Sequence, residues 1–118
     1  MAEKPDAVSI AEEYYDSSPA IEFYRNVWGG EDIHIGLYRT EDEDIGEASR
    51  RTVATMAQRL LPLEPTSHVI DLGAGFGGSA RYLASNFSCR VTCVNVSDEQ
   101  NALNRQMNAD AGLSDLID

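Results

Sequence analysis

Apolar residues along this chain change spacing several times, and the changes mark its elements. Ile45, Val53, Met56 and Leu60, with Ser49 between them, step by fours and a three, the period of one helix face. Thr40-Glu41-Asp42-Glu43 has the spacing of a capping box, so this helix is predicted to start there. It should run to Leu61, where Pro62 and Pro65 stop it. Ser67 to Leu72 is a short, nearly continuous apolar run, the pattern of a strand buried on both faces. Helical spacing returns over residues 77–87, and RVTCVNV from Arg90 to Val96 reads as a second strand. Ser97-Asp98-Glu99-Gln100 is another capping box, opening a helix to about Ala111 that Gly112 closes. Leu113, Leu116 and Ile117 then turn back towards the sheet in search of cover.

Ahead of this lies a different segment. Residues 1–6 read as a loose tail, and residues 8–15 (VSIAEEYY) as a short helix. Ser17-Ser18-Pro19 predicts a cap with proline in the first turn of a second helix, which reaches Trp28 before Gly29-Gly30 ends it. Glu31 to Arg39 is a loop with alternating Ile33 and Ile35, too apolar for a free surface loop, so it should cover something. We divide the chain into residues 1–40, a helical lid segment, and residues 41–118, the first part of an α/β domain. The element order α-α-α-β-α-β-α supplies only two parallel strands. Such a sheet is incomplete and its edges stay open, so self-association is expected.

Composition narrows the chemistry. The 118 residues are 42% hydrophobic, enough for a core in one domain. Twenty acids face nine bases, and the net charge of −11 repels nucleic acid and anionic membrane. An acid-rich surface with a single lysine, Lys4, suits a salty cytoplasm as well as any soluble acidic protein. No apolar run approaches the length of a membrane span, and MAEKPDAVSI has no signal-peptide core, so a cytoplasmic location is expected. Cys89 and Cys93 flank the second strand roughly 13 Å apart, too far for a disulfide, and read as small buried hydrophobes. Two histidines and no close Cys/His cluster leave no metal site in view.

The chemistry concentrates in VIDLGAGFGGSARYLA, Val69 to Ala84. An apolar run ends on Asp71, then Gly73, Gly75 and Gly77 alternate, and helical spacing begins. This is strand, tight glycine turn, helix, and it lets a ligand approach bare backbone at the carboxyl end of a parallel strand. With Asn95 at the end of the next strand, it resembles the S-adenosylmethionine (SAM) site of class I methyltransferases. The fold implied is the N-terminal part of a Rossmann-like class I methyltransferase domain. Gly73-Ala74-Gly75 could hold the methionine part and Asp71 its ammonium, although a carboxylate here could instead brace the turn. Asn95 and Gln100 could bind the ribose hydroxyls, though each could equally serve the local backbone. A nicotinamide-dependent oxidoreductase is an alternative. Against it, the acid precedes the glycines and Asn95 stands where that site has an acid.

SHVIDLGAGFGGSARYLA followed by VTCVNVSDEQ is similar to the tocopherol and cyclopropane-forming methyltransferases, with Asn95-Val96-Ser97-Asp98-Glu99-Gln100 matching their Thr-Leu-Ser-x-x-Gln type of motif. YYDSSPAIEFYRNVWGGEDIHIGLY resembles, more narrowly, the sarcosine/dimethylglycine N-methyltransferases of glycine betaine synthesis. That resemblance implies a lid of aromatic helix and His-Ile-Gly loop. Tyr15 would act near the donor methyl, and Ile33, His34 and Gly36 would line the methionine end. Arg39, ahead of Arg25, would take the substrate carboxylate. Tyr14, Phe23, Tyr24 and Trp28 belong more to packing than to a cage. The family continues with further strands that carry adenine and substrate residues, so catalysis by these 118 residues alone is not expected. A non-catalytic fragment or interaction module that keeps the half-fold is the other reading.

Overall fold

The computed structural model describes residues 6–26 and 31–118; the predicted ends at Trp28 and Gly29-Gly30 and the tail at residues 1–5 lie outside them, as do the side chains of Tyr24 and Arg25. Helix α1 (Ala7–Asp16) is capped by Asp6, whose carboxylate accepts from the Ser9 amide at 2.8 Å. Ser17 closes α1, and α2 (Ser18–Asn26) follows with Pro19 in its first turn, where a missing amide hydrogen costs nothing.

Residues 31–39 form an extended strap along the next helix, α3 (Ile45–Leu60). Its Leu37 amide donates to the Ala48 carbonyl at 3.0 Å, and the Thr52 hydroxyl donates to the Ile35 carbonyl at 2.7 Å. Of the alternating pair, only Ile33 is turned inward; Ile35 is 81% exposed.

The start of α3 differs from the capping box expected at Thr40. Thr40 to Glu43 make a turn, and the helix begins at Ile45 with Asp44 as its cap, accepting from the Glu47 amide at 3.1 Å. Asp44-Ile45-Gly46-Glu47 has the same spacing signature, and it wins because Glu43 is engaged elsewhere. The Glu43 carboxylate takes both terminal nitrogens of Arg51 and the Arg39 amide. The buried face is also rotated from the predicted one. Gly46, Ala48, Ser49, Val53 and Ala57 face inward, while Met56 and Leu60 are 43% and 48% exposed. Small residues let α3 approach the small face of α4 (Gly78–Phe87), and Ala57 joins Ala80, Leu83 and Ala84 in the core.

Strands β1 (His68–Leu72) and β2 (Arg90–Val94) pair in parallel, Ile70 opposite Thr92 and Leu72 opposite Val94. Helix α5 (Asp98–Asp110) follows β2, capped by Ser97, and Gly112 takes the left-handed φ of +70° beyond its end. The chain then lies along the second edge of β2. Val91 donates to Leu116, Asp118 donates to Val91, and Val91 and Ile117 form a parallel bridge. Ile117 is buried, and Leu113 and Leu116 pack beside it, so this segment finds its cover inside the chain.

The expected burial of β1 on both faces is not met. Val69 and Asp71 are partly buried, whereas Ile70 and Leu72 are 62% and 77% exposed. Val94, opposite Leu72, is also exposed. The described helices cover one face of the sheet and leave the other to solvent. Cys89 is buried and Cys93 partly buried, both as free thiols raised by burial. No helix among the described residues is long and apolar enough to cross a membrane, and no group of acids, histidines and cysteines among them could hold a metal.

Candidate functional site

At the carboxyl ends of β1 and β2 the chain forms a cleft of about 330 Å³, lined by Tyr15, Ile33, Gly73, Gly75, Val94, Asn95, Val96 and Gln100. Six of these eight residues were predicted for the site; Val94 and Val96 add an apolar wall that sequence reasoning missed.

The glycine turn makes the floor. Gly73 and Gly75 have φ of +74° and +58°, left-handed values that suit glycine. The Gly73 and Ala74 amides both donate to the Val94 carbonyl, at 2.7 and 3.1 Å, which binds the turn to the end of β2. A Cβ on Gly73 would meet nothing within 4 Å, so space opens above it. A Cβ on Gly75 would come within 2.9 Å of Ile33 Cδ1, so the strap closes over this part of the turn.

The side wall is polar. Asn95 Nδ2 donates to Gln100 Oε1 at 3.0 Å, and Asn101 Nδ2 donates to the Asn95 backbone carbonyl at 3.1 Å. The predicted capping box at α5 is half made. Ser97 Oγ accepts from the Gln100 amide at 3.1 Å, but the Gln100 side chain turns to Asn95. Gln100 is 2% exposed and its Nε2 has no hydrogen-bond partner, a buried donor of the kind a ligand hydroxyl satisfies.

Tyr15 sits at the end of α1, its ring edge-on to Tyr14 at 5.1 Å. The neighbouring Asp16 reaches the first turn of α5, where its carboxylate accepts from the Ser97 hydroxyl and from the Glu99 amide. This docking residue was missed. Its only trace in the sequence is its place beside the tyrosine pair.

The remaining predicted residues lie elsewhere. His34 and Asp71 line a neighbouring apolar cavity of about 280 Å³ with Ser79, and His34 Nε2 is 2.8 Å from Ser79 Oγ. Burial pushes the Asp71 carboxyl up, partly opposed by His34. Gly36 is a packing glycine, since a Cβ there would stand 2.5 Å from Ala48 Cβ. The Arg39 backbone amide donates to Glu43 at 2.8 Å, and neither Arg39 nor Ala74 lines the cleft.

Behind the cleft Arg81 is buried. One terminal nitrogen donates to Asn104 and Asn108, both at 3.0 Å, and the other donates to the Phe76 carbonyl of the glycine turn at 2.6 Å. Burial lowers its pKa, opposed by Glu31 and Asp32. Glycine at 77 leaves room for Asn104, whose Oδ1 would lie 2.0 Å from a Cβ there.

Comparison with known proteins places the chain in a family. Over 112 residues the chain is 50% identical to the sarcosine/dimethylglycine N-methyltransferase of Halorhodospira halochloris, covering 95% of this chain and 40% of that one. The enzyme of the same name from Aphanothece halophytica is 50% identical over 115 residues, 97% of this chain and 42% of that one. A crystal structure assigned as a sarcosine dimethylglycine methyltransferase of Galdieria sulphuraria superposes with a TM-score of 0.77 at 42% identity, over 85% of this chain and 40% of the other. The chain thus spans about two fifths of the length of these relatives. The pattern of the mycolic acid cyclopropane synthetase family matches residues 2–118, and the chain belongs to that family.

Proposed function

We propose that this chain is part of an N-methyltransferase and holds the methionine and ribose ends of S-adenosylmethionine, with sarcosine or dimethylglycine as the methyl acceptor of the whole enzyme, towards glycine betaine. The observation that carries the reading is the cleft itself. It gathers a glycine turn with open space above Gly73, an Asn95–Gln100 pair with a buried unsatisfied donor, and a tyrosine, at the strand ends where open α/β sheets bind ligands. The 50% identity to enzymes of that name supports it from outside.

S-Adenosylmethionine supplies a methyl already activated on a sulfonium, and a secondary or tertiary amine offers its lone pair once its ammonium proton has passed to water. The protein's task is then alignment in a dry site rather than proton transfer. Asn95 and Gln100 would hold the ribose diol, donating and accepting in turn. Carbonyls of the glycine turn, helped by Asp71, would receive the ammonium, and Ile33 would exclude water above Gly75. The face and hydroxyl of Tyr15 would stabilise the cation and orient the amine. His34 and Gly36 serve this end of the cleft through the strap, His34 by its bond to Ser79 and Gly36 by closeness to α3. Arg39 is the proposed partner of the substrate carboxylate. We place the protein in the cytoplasm on its acid-rich composition.

Calorimetric titration of the chain with S-adenosylmethionine and with NAD tests the reading. We expect heat only from the former. Gly75→Val should abolish it, because the new side chain fills the cleft and displaces Ile33, at about 1–3 kcal/mol of overpacking and backbone cost. Unchanged affinity in a folded Gly75→Val protein, or binding of NAD instead, would reject the assignment.

A further inference from the structure

We propose that Asp16 is a positioning residue that couples occupancy of the cleft to the placement of Tyr15; the inference rests on the cofactor reading above. Asp16 is the last residue of α1, directly after Tyr15. Its Oδ1 accepts from the Ser97 hydroxyl and from the Glu99 amide at 3.3 Å, both in the cap and first turn of α5. The same Ser97 oxygen accepts from the Gln100 amide, and the Gln100 side chain accepts from Asn95. An unbroken run of hydrogen bonds therefore joins the polar wall of the cleft to the helix that carries Tyr15.

Two features make this run a coupling rather than ordinary capping. Ser97 already caps α5 through the Gln100 amide, and Asp98 and Glu99 already meet its positive end, so α5 has its cap without Asp16, which adds the bond to the Glu99 amide. Helix α1, by contrast, stands to gain from the contact: none of its residues is fully buried, so its apolar packing on the body is light. A ligand that engages Asn95 and Gln100 fixes the first turn of α5. It thereby fixes the two donors that hold Asp16, and with them Tyr15. Losing the ligand loosens the same run.

Amide hydrogen exchange of the whole chain tests this, with S-adenosylmethionine as the probe. In the wild type, added S-adenosylmethionine should slow exchange across residues 7–16. Asp16→Ala should speed ligand-free exchange there about fivefold, the size of one lost cap bond. It should also remove the response of α1 to S-adenosylmethionine and weaken its binding by a similar factor, while α4 exchanges as before. Asp16→Asn keeps an acceptor oxygen and should restore most of both effects, which general loosening of the helix would not do. If α1 in Asp16→Ala still responds to S-adenosylmethionine as the wild type does, the coupling is wrong. If the wild type takes up no S-adenosylmethionine, the cofactor reading and the coupling both fall. The ligand-free comparison then decides the docking alone, and equal exchange of α1 in wild type and Asp16→Ala removes that too.

Discussion

Asp71 illustrates how burial sets the charge of one side chain against the fold. Its carboxyl is pushed up by burial, with His34 pulling it back. A group raised in this way penalises the folded state once it ionises, and the penalty disappears as pH falls below the ordinary aspartate value of 3.8. Asp71→Asn is therefore expected to raise Tm at pH 7, with the gain closing at acid pH, and to weaken S-adenosylmethionine binding. Thermal melts across that range, paired with titration, check both. A lower Tm at pH 7 would show that the carboxylate braces the glycine turn instead. At this scale much of the site was legible. Gly73, Gly75, Asn95 and Gln100 meet in one cleft because strand-end chemistry is written locally, and Tyr15 and Ile33 join them from α1 and the strap, where only the family resemblance pointed to them. Gly36 was not legible, since its need for a bare Cα arises from Ala48 on another element. Arg81 was hidden for the same reason, its asparagine partners lying 23 and 27 residues further on.

Elements were readable where one signal stood alone and misread where two competed. The caps at Ser97 and the stop at Gly112 fall where expected. The start of α3 does not, because Thr40 and Asp44 offer the same cap spacing and the choice is made by Arg51, one helical turn and more away. That ion pair has a testable pH signature. Glu43, held by the Arg51 guanidinium and the Arg39 amide, is lowered from 4.5 to about 2. A depressed carboxylate contributes stability that is complete above its unfolded value and is lost as pH falls towards the folded one. We expect Glu43→Gln to melt below the wild type at pH 6, and the gap to close between pH 4.5 and about 2. A gap that is constant with pH would mean that packing, not charge, carries Glu43. The rotated face of α3 has another cause. Met56 and Leu60 fit the helical period, but the uncovered sheet face beside them leaves them at a rim.

At the scale of the whole molecule the exposed apolar surface sits on the sheet. Ile70, Leu72 and Val94 share the open face, while Ile117 is already sealed in the core. Burying such surface should draw copies together, and a net charge of −11 should hold them apart. We therefore expect the chain to self-associate, through this open face together with β1 edges or exchanged N-terminal helices, and to do so more strongly as salt rises. Light scattering at low and high salt reads this directly. A cooperatively melting monomer at both would show that one covered face suffices. The α/β class was legible from the order of helices and strands and the glycine spacing, and the class I methyltransferase fold from the resemblance those glycines carry. How many faces would be covered was not, because that depends on elements two strands cannot supply.

The buried guanidinium of Arg81 bears on how fast a ligand could come and go. It grips the Phe76 carbonyl of the glycine turn with one nitrogen and two asparagines of α5 with another, so floor and side wall of the cleft are riveted together. Floor and side wall should therefore keep their spacing, and a ligand would enter over the open side above Gly73 rather than between them. Arg81→Lys, with a single point of charge where a planar fork is needed, would unrivet the turn from α5, let the cleft gape, and so let a ligand leave faster.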